Sequence, residues 1–156
     1  VSPDTQIYDV ETYQPASCVG QLMYRVRAAQ MSALDQALAQ DPDLAPLEIS
    51  AAQYIIISVL AKRGVDSAAQ LCKDLSYDAG AMTRMVDRLE AKGLMSRRRC
   101  PEDRRLVKLE LTEAGYAALP KLRACSVQVL NHFLRGFNPE EARQLEGFMV
   151  RMLQNV

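Results

Sequence analysis

Apolar residues recur along this chain in helical steps, and the places where the rhythm stops mark most of its elements. From Ala16 to Gln40 the positions Val19, Leu22, Met23, Val26, Ala29, Ala33 and Ala37 line one face of a long amphipathic helix. Asp41-Pro42-Asp43 and Pro46 break it. Ahead of it, residues 1–15 carry Pro3 and Pro15 with little periodicity and read as an irregular arm. Ser50 and Gln53 form a capping box, with Ile49 placed to staple against Tyr54. The following AAQYIIISVLAKR is apolar on most faces and predicts a buried helix, stopped by Gly64. Ser67 and Gln70 open a short helix, AAQLCKDL. After the turn Ser76-Tyr77-Asp78, Asp78 caps a helix that runs to Lys92 and is closed by Gly93. Its apolar stripe is Met82, Met85, Val86 and Leu89, which leaves Thr83, Arg84, Asp87 and Arg88 off the stripe.

The period then changes. Leu94 to Arg99 and Arg105 to Leu111 read as two strands around the turn Cys100-Pro101-Glu102-Asp103. In the second strand Val107, Leu109 and Leu111 are expected inward, with Leu106, Lys108 and Glu110 outward. Thr112 caps a helix running toward Arg135, which Pro120 is expected to kink or divide, and Gly136 ends it. Asn138-Pro139-Glu140-Glu141 starts a last helix with cap, N1 proline and N-terminal acids in order. Its stripe is Leu145, Phe148, Met149, Met152 and Leu153. The order predicts a mainly α fold: a winged helix-turn-helix domain with a two-stranded β-wing over 47–112. An N-terminal helix (16–45) and C-terminal helices (113–156) flank it. Their broad apolar faces lie outside the compact winged core and predict a dimerisation domain.

Charge narrows the reading. From Met82 to Lys108 nine Lys/Arg stand against four Asp/Glu, whereas the whole chain carries 19 of each sign. A neutral protein with one basic segment has gathered its cations where a polyanion can meet them. The length of 156 residues suits one domain, or a domain with an oligomerisation element. No apolar run approaches the ~18 residues that span a bilayer, and the acidic, polar N-terminus does not read as a signal peptide. Cys18, Cys72, Cys100 and Cys125 form no CxxC pair, which fits a reducing cytoplasm. With His132 as the single histidine, no Walker loop, no GxGxxG and no Ser/His/Asp set, neither a metal site nor a cofactor nor an enzyme is expected.

The helix-turn-helix arrangement gives these residues roles. The second helix of such a motif enters the major groove, so Thr83, Arg84 and Arg88 are the expected base-reading residues. Arginine grips guanine O6/N7 with two prongs, and threonine meets a phosphate or a thymine methyl. The plainer alternative pairs Arg84 and Arg88 with Asp87 or Glu90 on a solvated face. The hairpin holds five guanidiniums, Arg97, Arg98, Arg99, Arg104 and Arg105, of which Arg98, Arg104 and Arg105 are the expected wing contacts. An arginine at such a tip fits a narrowed minor groove. Asp103 is expected to stiffen the turn by pairing with an arginine.

LCKDLSYDAGAMTRMVDRLEAKGLMSRRRCPEDRRLVKLELTEAG resembles the core of the MarR family of bacterial winged-helix regulators, most closely in TRMVDRLEAKGL and DRRLVKLELTEAG. The resemblance covers roughly residues 16 to 155. It implies a homodimer with interlocked terminal helices on a pseudo-palindromic operator in double-stranded DNA. Arg105 would be its minor-groove arginine. It further implies a repressor released by a small, often anionic aromatic ligand, for which Tyr24, Arg27, Tyr54 and Arg97 are the pocket candidates. The rival within the fold is redox sensing through Cys18 or Cys100, and ASCVGQLMY departs from the pattern of redox-sensing members. A rival outside DNA binding is a winged-helix module that meets an acidic protein.

Overall fold

The computed structural model describes residues 6–99 and 107–156. The elements follow in the order α1 (Val19–Gln40), α2 (Ala51–Arg63), β1 (Val65–Ser67), α3 (Ala68–Leu75), α4 (Ala79–Ala91), β2 (Met95–Arg99), β3 (Val107–Leu111), α5 (Glu113–Phe133) and α6 (Pro139–Leu153). Short 3-10 turns at Pro15–Ser17 and Ala45–Leu47 flank α1.

Local capping fixes where the helices begin. At α2, the Ser50 hydroxyl accepts from Gln53 N (3.2 Å) and the Gln53 side chain accepts from Ser50 N (3.1 Å), which completes the expected box. A third N-terminal amide, Ala51 N, donates to Asp35 Oδ1 of α1 at 2.6 Å. These bonds satisfy donors that a helix start otherwise leaves orphaned, and they lock α1 to α2. The box expected at α3 is only half formed. Ser67 Oγ accepts from Gln70 N, but the Gln70 amide turns to Asp74, which also takes Arg63 at 2.5 Å.

One core binds the winged part to the second half of α1 and the first half of α5. Leu34 and Leu38 of α1, Ile56, Ile57 and Leu60 of α2, Leu71 of α3, and Met82, Val86 and Leu89 of α4 are buried together with Leu109, Leu111, Leu119 and Leu122. The first half of α1 and all of α6 contribute no buried residue.

The sheet has three strands in the order β1-β3-β2, all antiparallel, where the sequence predicted two. β1 pairs Val65, Asp66 and Ser67 with Glu110, Leu109 and Lys108. A run of three residues is too short to show a period of two, so it left no signal of its own. Along β3, Leu109 and Leu111 are buried as expected, while Val107 at the open end is 40% exposed.

Pro120 does not divide α5, which runs unbroken from Glu113 to Phe133. The ring sits on the exposed side between buried Leu119 and Leu122. The carbonyl that loses its helical donor belongs to Tyr116, itself an exposed residue, where water can replace the bond.

Candidate nucleic-acid interface

Helix α4 is presented by the turn that precedes it. Ser76 ends α3 in the left-handed region (φ 54°), and Asp78 Oδ1 accepts from Ala81 N at 2.8 Å to start α4. Burial of Met82, Val86 and Leu89 fixes the helix's rotation about its axis. Thr83, Arg84, Asp87 and Arg88 are thereby all exposed. At the far end the Lys92 ammonium donates to the Glu48 carbonyl at 2.6 Å, tying α4 to the loop before α2. Partial burial pulls the Lys92 pKa below the ordinary lysine range.

The exposed side chains differ in what they have left to offer. The Thr83 hydroxyl donates to Ala79 O at 2.8 Å, so its proton is used inside the helix. Its methyl group and oxygen lone pairs remain. The Arg84 guanidinium lies over Gly80, where an added Cβ would stand 3.4 Å from Nη1. Neither Arg84 nor Arg88 has an ion pair among the described residues.

The acids of α4 are instead held by the wing. Arg97 on β2 places Nη1 at 2.5 Å from Glu90 Oε2, and Nη2 donates to Asp87 Oδ1. Its pKa rises, first through the hydrogen bond to Asp87. Met95 and Arg97 are two apart and share a face of β2, and Met95 is buried, so Arg97 is aimed at the body of the domain. Arg98, on the other face, is well exposed, and its one ion pair among the described residues is a 3.3 Å contact with Glu110. Asp103, Arg104, Arg105 and Cys100 lie outside the described residues. The wing's base is tight. Thr112 Oγ1 donates to Gly93 O at 2.6 Å and accepts from Gly115 N at 3.1 Å. Leu94 N donates to Leu89 O and Thr112 N to Leu94 O, which joins α4, β2 and α5.

A family model of the MarR family matches residues 49–107. Over nearly the whole chain, a cysteine-to-serine mutant of MarR from E. coli complexed with operator DNA is 30% identical, with a TM-score of 0.73. The match covers 86% of this chain and 92% of that one. The chain belongs to the MarR family. The reduced form of MarR from E. coli is likewise 30% identical, with 87% and 96% covered and a TM-score of 0.73. BpsR of Bordetella bronchiseptica, whose DNA binding is regulated by 6-hydroxynicotinic acid, shares the fold at 24% identity, with 92% and 98% covered and a TM-score of 0.76.

The residues expected for ligand sensing are dispersed in this single chain. Tyr24 is 68% exposed and Arg27 is exposed on α1, Tyr54 is half-buried against the core, and Arg97 is engaged by Asp87 and Glu90. None of the four borders either of two grooves that the described residues form. The larger, of about 810 Å³, runs between α1 and α5 past Gln36, Ala37, Gln128, His132 and Arg135. The smaller lies in the N-terminal arm beside Tyr8, Tyr13 and Cys18.

Cys18 caps α1 with its sulfur. Gln21 N donates to Sγ at 3.5 Å and the Tyr13 hydroxyl at 3.4 Å, while the thiol reaches Pro15 O at 3.2 Å. The Cys18 pKa is lowered, first by Tyr13 and then by Gln21. Cys125 is the opposite case, since burial pushes its thiol up. Sequence reasoning singled out Cys18 but missed Tyr13. Its aromatic ring five residues upstream, in an arm without periodicity, carried no signal of contact.

Proposed function

We propose that this chain is a sequence-specific repressor that binds a pseudo-palindromic DNA operator as a homodimer. Thr83, Arg84 and Arg88 read the major groove, and Arg98, Arg104 and Arg105 of the wing grip the flanking backbone and minor groove, with Asp103 stiffening the turn. One observation carries the reading: Arg84 and Arg88 stand exposed and, among the described residues, without ion pairs on a helix whose rotation is fixed by three buried side chains. Thr83 has its hydroxyl proton engaged at Ala79, which favours contact between its methyl group and a thymine methyl. The test is binding to the promoter region of the chain's own gene across a salt series. With six phosphate contacts, affinity falls on the order of 10³-fold between about 50 and 200 mM salt. Affinity that ignores salt and sequence would refute the reading. Arg84→Ala is expected to cost ~1–3 kcal/mol and to relax preference at one base position, whereas Arg105→Ala weakens binding with less loss of base discrimination.

Release is assigned to a small aromatic acid or phenol. The support is chemical: Tyr24, Arg27 and Tyr54 offer aromatic rings and a cation, and the DNA binding of the similarly folded BpsR is regulated by 6-hydroxynicotinic acid. A thermal shift with such an acid, coupled to loss of DNA binding, is the expected result.

A second reading, oxidative release through Cys18, is favoured by the sulfur cap and the Tyr13 hydroxyl bound to it. The thiolate attacks the distal oxygen of a peroxide, the O–O bond breaks, and the products are a sulfenic acid and an alkoxide that takes a proton from water. Peroxide that still releases DNA from Cys18→Ser would exclude it.

A further inference from the structure

Four charged side chains of α4 stand within seven residues, Arg84, Asp87, Arg88 and Glu90, and on the helix alone they sum to zero. Asp87 lies three residues after Arg84, a spacing at which helical ion pairs form, and it is adjacent to Arg88. Left to itself, Asp87 is the natural partner of Arg84, and both acids repel a phosphate backbone. Yet neither acid touches an arginine of its own helix. Both are bound by Arg97, ten and seven residues further on, across the gap between α4 and β2.

Resting on the DNA-binding reading above, we infer that Arg97 is a positioning residue for the base-reading arginines. It sequesters Asp87 and Glu90, so that Arg84 and Arg88 reach the groove uncommitted. One guanidinium has the two-pronged geometry for this task, with a separate nitrogen for each carboxylate. The effect is electrostatic as well as steric. With Arg97 counted, the α4 face gains a positive charge, and the acids are turned toward the wing.

A simple brace between helix and wing would use the same contacts, and the two roles separate by mutation. If Arg97 sequesters the acids, R97Q weakens operator binding roughly five- to hundred-fold, the span of losing one arginine–guanine contact. D87N/E90Q binds as well as or more tightly than wild type, because its arginines have no acid to pair with. The triple variant R97Q/D87N/E90Q then returns to the level of D87N/E90Q. If the contacts are only a brace, D87N/E90Q loses affinity as R97Q does, and the inference is overturned. If Arg97 itself grips phosphate, the triple variant stays as weak as R97Q, which also overturns it. Binding is read by fluorescence anisotropy at fixed salt on the promoter fragment that wild type binds, with circular dichroism confirming the fold. A wild-type protein that binds no promoter DNA would sink the DNA-binding reading instead, so the two failures are distinct.

Discussion

Cys18 shows how one side chain acquires chemistry from its place in the chain. A sulfur at the start of α1 accepts from Gln21 N and from the Tyr13 hydroxyl, and both bonds favour the thiolate. The direction of the shift sets a pH signature. Because the Cys18 pKa is lowered, its thiolate survives below the ordinary thiol range of about 8.5, and alkylation by iodoacetamide stays fast as pH falls through that range. Tyr13→Phe removes the largest cause, so the rate profile is expected to move up in pH. Cys125, raised by burial, is expected to react slowly throughout. Mass-resolved alkylation rates against pH check all three. Coincident profiles for Cys18 in wild type and Tyr13→Phe would show that the tyrosine has no hold on the thiol. Arg97 makes a related point at this scale. It was legible as a basic wing residue, but its partners were not, because a contact between α4 and β2 has no local spacing to betray it.

Elements were readable where their signals are local and obscure where a tertiary partner decides. Ser50, Asp78, Thr112 and Asn138 cap the helices they were expected to cap, since each needs only a backbone amide two or three residues away. At α3 the Gln70 side chain prefers Asp74, itself oriented by Arg63, so the box is half made. β1 exists because Glu110, Leu109 and Lys108 offer it an edge, not because Val65-Asp66-Ser67 demands a strand. Pro120 is tolerated because it faces water. The joint between α4, the wing and α5 gives a sharper test of element packing. A Cβ on Gly115 would stand 2.2 Å from the Leu94 carbonyl oxygen, whose acceptor role toward Thr112 N fixes it in place. Backbone would have to move to admit it. Gly115→Ala is therefore expected to destabilise the fold by ~1–3 kcal/mol, the usual cost of overpacking, although alanine is the better helix former. Urea denaturation followed by circular dichroism measures it. An unchanged midpoint would mean that the joint yields freely.

At the scale of the molecule, the apolar surface is distributed too unevenly for one chain. Along α6, Phe148, Met149, Val150 and Met152 are exposed, Leu153 is 71% exposed, and among the described residues the helix makes no substantial contact with another element. The first half of α1 shows Val19, Leu22, Met23 and Val26 in the same condition, and α5 adds Val127 and Leu130. A solitary helix of 15 residues is marginal in water, so α6 needs a surface to pack on. Exposed apolar residues on three helices are the composition expected of an interface. A second copy fits it on functional grounds too. One winged domain contacts little DNA, and a two-fold axis would set two α4 helices about 34 Å apart, one turn of the duplex. The protein is expected to be a dimer without DNA at micromolar concentration, as measured by light scattering. Phe148→Asp with Leu153→Asp places two charges in that patch and is expected to yield a monomer whose winged domain keeps its core, because α6 buries nothing in it. On the proposed dimeric reading, loss of the second α4 helix is expected to lower operator affinity by several orders of magnitude and roughly halve the slope of affinity against salt, since the slope counts phosphates contacted. A wild-type monomer in solution, or a double variant that stays dimeric, would move the interface away from α6.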